Sequence, residues 1–181
     1  MTRYTVDKRN MKIIISLITL TFLSACADSD PIQKTSPDSV SNGNVEAVRL
    51  YREAAKSGSN VAMTRLGDCL ITGKGVSMNA EEAVEWYRKA AENGYVVAQC
   101  ALAKCYVNGK GVPKDDVEAL KWYRKAAEEG YVVAQCAVAE CYIKGKGIPK
   151  DESEAVKWYK RAADAGYSPA QLWLAEWHQL H

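Results

Sequence analysis

Two helical patterns of apolar residues alternate along this chain and return every 36 positions. In the first, Val97, Ala98, Ala101, Leu102, Cys105 and Tyr106 recur at the spacing that gathers side chains on one face of an α-helix. The stretch stops at Asn108-Gly109, where a glycine can take the left-handed conformation that ends a helix. After Gly111-Val112-Pro113-Lys114 comes the second pattern, Ala119, Trp122, Tyr123, Ala126 and Ala127, which ends before Gly130. Asp115 opens it, with Glu118 one turn on; Asn79 with Glu82 and Asp151 with Glu154 hold the same places in other copies. A short polar side chain there accepts from the unpaired amides of the first turn, and the carboxylate sits near the positive end of the helix. The spacing therefore predicts a helix A, a short connection and a helix B in each copy.

Gly58, Gly94, Gly130 and Gly166 keep the period without insertion, as do Tyr51, Tyr87, Tyr123 and Tyr159, and Ala54, Ala90, Ala126 and Ala162. A fixed period of about 20 to 50 residues marks a solenoid, whose units cannot bury their apolar faces alone and stack on their neighbours. The register predicts a helix B at about 46–57, full pairs over 60–95, 96–131 and 132–167, and a last helix A from about 168. Eight helices in an all-α solenoid result, with the half units at the ends acting as caps. Trp86, Trp122 and Trp158 alternate with alanines, so a ring on one helix fits beside a small residue on the next, which makes them core rather than a ligand cage. The Gly-Lys-Gly triplets at 73–75, 109–111 and 145–147 lack the spacing, the following Ser or Thr and the preceding strand of a phosphate loop.

The first 44 residues lie outside the period. Arg3, Lys8, Arg9 and Lys12 precede an apolar run from Ile13 to Leu23, and Leu23-Ser24-Ala25-Cys26 follows, the order of a secretory signal peptide over 1–25. The tetrapeptide resembles the lipobox of bacterial lipoproteins, which implies cleavage before Cys26 and its acylation. Met11 is an alternative start that leaves the same mature chain. Ala27 rather than Asp after Cys26 resembles outer-membrane sorting, so the expected location is the bacterial envelope, lipid-anchored and facing the periplasm. Residues 26–44, rich in Asp, Ser, Pro and Asn, carry too little apolar surface to fold and are expected to form a disordered tether. Cleavage takes the 24 basic and 22 acidic residues to 20 and 21, a net charge of −1, which leaves no basic stripe for nucleic acid.

Five cysteines remain. Cys69, Cys105 and Cys141 share one place in the period, and Cys100 and Cys136 share another. Positions five apart on a helix point in nearly opposite directions, so disulfides Cys69–Cys100 and Cys105–Cys136 could bridge successive copies in an oxidising compartment. The alternative is a set of small apolar core residues. No Cys-x-x-Cys pair occurs, and His178 with His181 gives only two ligands, so no metal site and no cofactor are expected. No nucleophile and base can be assembled, and no enzyme is expected.

Read from Ala98 to Gly130, Ala-Gln-x-x-Leu-Ala-x-x-Tyr-x-x-Gly-x-Gly-Val-Pro-x-Asp followed by Ala-x-x-Trp-Tyr-x-Lys-Ala-Ala-x-x-Gly resembles the Sel1-like repeat (SLR) of the tetratricopeptide superfamily. Ala103 and Ala139 replace a glycine that the family usually carries and that Gly67 retains. The resemblance implies a right-handed superhelix whose A helices line a concave groove for a protein or peptide partner. By similarity, the lining comprises Thr64, Asp68 and Thr72; Cys100, Lys104 and Asn108; Cys136, Glu140 and Lys144; and Leu172 and Glu176. Asp68, Lys104 and Glu140 occupy one register position with three identities, as a surface shaped for a partner would. Among SLR lipoproteins the resemblance also implies an immunity or inhibitor role against a secreted toxin, or alternatively an envelope enzyme acting on β-lactams or peptidoglycan fragments.

Overall fold

Helix starts and stops divide the chain where the capping residues stand. The computed structural model describes residues 37–180, and these form eight helices and no strand: α1 (Pro37–Lys56), α2 (Asn60–Thr72), α3 (Ala80–Glu92), α4 (Val96–Asn108), α5 (Asp116–Glu128), α6 (Val132–Lys144), α7 (Glu152–Asp164) and α8 (Ser168–Leu180). Asn79 accepts from the Glu82 amide, Asp115 from those of Val117 and Glu118, and Asp151 from that of Glu154, so α3, α5 and α7 begin as the sequence predicts. Helices α2, α4 and α6 end on glycines in the left-handed region, Gly109 at φ 65° among them. Each helix packs on the next in sequence, most extensively within the pairs α2/α3, α4/α5 and α6/α7, and the pairs lie in a row.

The first helix departs from expectation. It begins at Pro37 rather than near residue 46, so residues 37–44, assigned to the tether, are helical. Gly43 stands where Asn79, Asp115 and Asp151 cap the later B helices, and with no side chain there nothing ends the helix at that point. Pro37, with its φ already set for a helix, opens it instead. Extending an existing helix costs far less than nucleating one. Cys26 and His181 lie outside the described residues.

The core runs along the row. Ala98, Ala134 and Ala170 on the A helices and Ala83, Ala119 and Ala155 on the B helices are buried, which lets backbones approach around the larger Leu66, Leu102 and Val138. Trp122, Tyr123, Trp158 and Tyr159 are buried with them, as the core assignment requires, while Trp86 is half-buried against the core. Gln99, Gln135 and Gln171 each donate to the carbonyl of the residue eight positions earlier, Ala91, Ala127 and Ala163, tying α4, α6 and α8 to the preceding B helix. The Gly-Lys-Gly triplets act in the same way. Gly111 passes so close to α3 that a Cβ would stand 2.1 Å from the Ala80 carbonyl oxygen, and the Nζ of Lys110 donates to the Ile71 carbonyl at 3.2 Å, at the negative end of α2. The triplet is a seam between pairs.

Candidate functional site: the outer stripe of the A helices

Along each A helix the expected lining grades from buried to exposed. Thr64 and Cys100 are buried and Cys136 half-buried; Asp68, Lys104 and Glu140 are half-buried; Thr72, Asn108 and Lys144 are exposed. The buried positions are therefore a correction to the groove assignment. The Thr64 hydroxyl spends its one proton on the Asn60 carbonyl at 2.8 Å, an internal helix bond, and its burial keeps the oxygen from a partner. Leu172, at the same register in α8, is 63% exposed against 4% for Cys100. The position is thus covered by the helices that follow it, and it is open only where no further described helix follows.

The polar remainder is a stripe of alternating charge. Asp68 on α2 accepts the Tyr87 hydroxyl at 2.7 Å, with the Lys104 ammonium of α4 and the Arg65 guanidinium in electrostatic reach. Burial raises the Asp68 carboxyl above its ordinary 3.8 and outweighs the hydrogen bond and the two cations, which lower it. Glu140 on α6 pairs with Lys144 one turn on at 2.6 Å. Glu176 on α8 is half-buried. Asp68, Lys104 and Glu140 thus present negative, positive and negative charge on successive A helices.

Val61 and Val97, both exposed, and Ala101 and Ala137, both half-buried, lie on the same helical stripe as these charges, at i, i+4, i+7 spacing. The sequence pattern counts Val97 and Ala101 in the packed apolar face of helix A and does not name Val61 or Ala137, whereas Val97 is exposed and Ala101 half-buried. A signal existed: the register position of Arg65 carries Ala101, Ala137 and Trp173 in later copies, as variable as the charged position beside it. The stripe therefore offers apolar contact between ionic sites, a surface suited to an amphipathic protein segment rather than to a small charged ligand.

Cys100, Cys105 and Cys141 are buried and Cys69 and Cys136 are partly buried against the core, the surroundings that small apolar residues take. Cys105 and Cys141 are buried in helix A, where the space is filled by neighbouring helices rather than by a second sulfur. Burial pushes the thiols of Cys105 and Cys141 up to about 11 and that of Cys136 to about 12, which keeps them protonated and unreactive. Among the described residues no cluster of three or more ligating side chains could hold a metal ion.

A model of the Sel1 repeat matches residues 39–59, 60–95, 96–131 and 132–167. The chain belongs to the Sel1 repeat family. Among solved structures it is 40% identical to a Sel1 repeat protein from Oxalobacter formigenes, over 70% of this chain and 50% of that one, with a TM-score of 0.65. It is 36% identical to c5321, a protective antigen of uropathogenic Escherichia coli with an SLR fold, over 68% of this chain and 27% of that one, with a TM-score of 0.66. Cysteine rich protein B of Helicobacter pylori is 25% identical over 72% of this chain and 94% of its own, with a TM-score of 0.57. The chain thus spans half the length of the first of these relatives and about a quarter of the second. No curated protein matches. Sel1 repeats are a scaffold typical of protein–protein interaction and are generally non-enzymatic.

Proposed function

We propose that this Sel1 repeat protein is a lipid-anchored scaffold of the bacterial envelope that holds a protein segment along the concave stripe of its A helices. The observation that carries the reading is the contrast between a constant frame and a variable, half-exposed stripe. Tyr87, Tyr123 and Tyr159 repeat unchanged and buried, while Asp68, Lys104 and Glu140 differ in charge at the same place in the fold. Identical framing of different charges gives a partner a register to read. The order of basic residues, apolar run and Leu-Ser-Ala-Cys supports anchoring through acylated Cys26, and Ala27 supports the outer membrane as destination.

The test is capture of partners from an envelope extract by the full chain and by the double variant Lys104→Glu, Glu140→Lys. Reversing both charges should abolish or strongly weaken capture; because both residues are half-buried, Glu140 pairs with Lys144 and Lys104 faces Asp68, circular dichroism and the melting temperature are read alongside, so that a lost contact is told from a lost fold. Undiminished capture would place the partner elsewhere. The anchor is tested separately by mass spectrometry of native protein, which should show an acylated amino terminus at Cys26; an unmodified terminus would remove the membrane from the proposal. A finer proposal is an immunity or inhibitor role, in which expression of the chain protects cells from a toxin delivered to the periplasm.

A further inference from the structure

The stripe of the A helices is two parallel rows rather than one. Val61, Val97 and Val133 lie seven residues before Asp68, Lys104 and Glu140, and Ala101 and Ala137 lie three before the last two. At the rise of an α-helix, about 1.5 Å per residue, each valine stands about 10 Å from its charge and within about 20° of it around the axis. Val61 and Val97 are exposed, and Val133, Ala101 and Ala137 are half-buried. Each of α2, α4 and α6 therefore shows an apolar site and, two turns along, an ionic one, and the repeat brings like sites into register from helix to helix. All three have a B helix packed on them from either side in sequence, so the rows owe nothing to the ends of the chain.

The spacing of the rows selects what can lie on them. A helix, about 10 Å across with its side chains, covers both rows at once. Helices α2 and α4 contact each other directly, and packed helices stand about 8–10 Å apart, so a segment laid along the rows meets a new ionic site at about that interval. An extended strand covers it in about three residues. An odd step turns the side chain to the opposite face, so a strand cannot present successive side chains to one row. A helix covers the interval in about seven residues, about 20° short of two full turns, so every seventh side chain falls on the same row.

We propose that the segment held on the stripe is an amphipathic helix with a heptad repeat, its apolar residues on Val61, Val97 and Val133 and, beside them, a basic, an acidic and a basic residue opposite Asp68, Lys104 and Glu140. The inference rests on the stripe being the docking surface, as proposed above, and adds what docks there. The stripe's charges call for that order. Burial already outweighs the Tyr87 hydrogen bond and the two cations near Asp68, so a helix that covers this carboxylate must bring a cation with it. Lys144, the partner of Glu140, is exposed, so little is lost when a cation of the docked helix takes its place. Lys104, between two acids on the row, takes the acidic residue.

Fluorescence anisotropy of labelled synthetic helices with the full chain in detergent tests this. Each probe has about 21 residues, leucine at both apolar heptad positions and one charge per heptad beside them. The first carries Lys, Glu and Lys along its length, a pattern that reads the same in either direction. The second carries the same residues in the order Lys, Lys, Glu, and the third is the first with a proline in its central heptad. The first should bind about tenfold tighter than the second although their net charges are equal, and the third should not bind, since proline breaks the helix. For Lys104→Glu the preference should pass to a probe with lysine at all three places. If that variant fails to fold, Lys104→Gln, which sets no new charge beside Asp68, should narrow the gap between the first two probes. Equal binding of those two overturns the proposal, as does a proline probe that binds as tightly as the first. Failure of every probe, while capture from the envelope stays sensitive to Lys104→Glu with Glu140→Lys, also overturns it: the stripe is then the docking surface and its occupant is not a helix. Capture indifferent to that double variant removes the stripe, and this proposal with it.

Discussion

The Asp68 carboxyl on the stripe carries a burial penalty. The fold raises the Asp68 pKa, chiefly by burial, so the folded protein binds a proton there more tightly than the unfolded chain does. Stability from this group is present below the unfolded value and is lost as pH rises through the folded one. Asp68→Asn keeps an oxygen for the Tyr87 hydroxyl and removes the buried charge. Its melting temperature should therefore gain on the wild type as pH is raised from below 3.8 towards neutrality. A constant difference across that range would show that Asp68 is solvated despite its surroundings. The same scale shows how one residue redirects its neighbours. The Trp86 indole donates to Glu82, but Lys121 draws Glu118 into an ion pair at 2.8 Å and leaves the buried Trp122 indole nitrogen without an acceptor. Glu82 is also paired, with Arg52 of α1 at 2.8 Å, yet the same carboxylate oxygen still accepts the Trp86 indole.

At the scale of the element, the seams between pairs depend on backbone approach more than on side chains. Gly111 and Gly130 both have positive φ, 73° and 84°, yet a Cβ on Gly111 would strike the Ala80 carbonyl while one on Gly130 would meet nothing within 4 Å. Gly130→Ala should therefore cost only the conformational strain, about 1–3 kcal/mol. Gly111→Ala adds a clash that no side chain can relieve and should exceed about 4 kcal/mol, in the range of disrupted frameworks. Chemical denaturation of both variants measures the gap, and equal losses would mean that the loop can lift from α3. Helix boundaries were legible in the sequence because Asn79, Asp115, Asp151 and Gly109 act within a turn of their own position. The start of α1 was not, since it follows from a missing cap at Gly43 rather than from a residue that is present. The burial of Thr64 and Cys100 was not legible either. Which side of an A helix the next pair covers depends on the rotation between pairs, which sums many contacts such as Gly111 on Ala80 and Gln99 on Ala91.

Across the whole molecule, stability should be highest where helices have neighbours on both sides, because each pair contacts only the pairs next to it. Trp122 is buried in α5, between α4 and α6, so Trp122→Ala should cost about 3–5 kcal/mol. The loss falls in the middle of the row and weakens the coupling between its two ends. Hydrogen exchange should then show faster opening of α4 to α6 and, secondarily, of the flanking helices. In the wild type the order runs the other way, with slowest exchange in α4 and α5 and fastest in α8, which among the described residues packs chiefly on α7 and leaves Leu172 and Ala175 to solvent. Uniform exchange along the row would contradict the nearest-neighbour account of its stability.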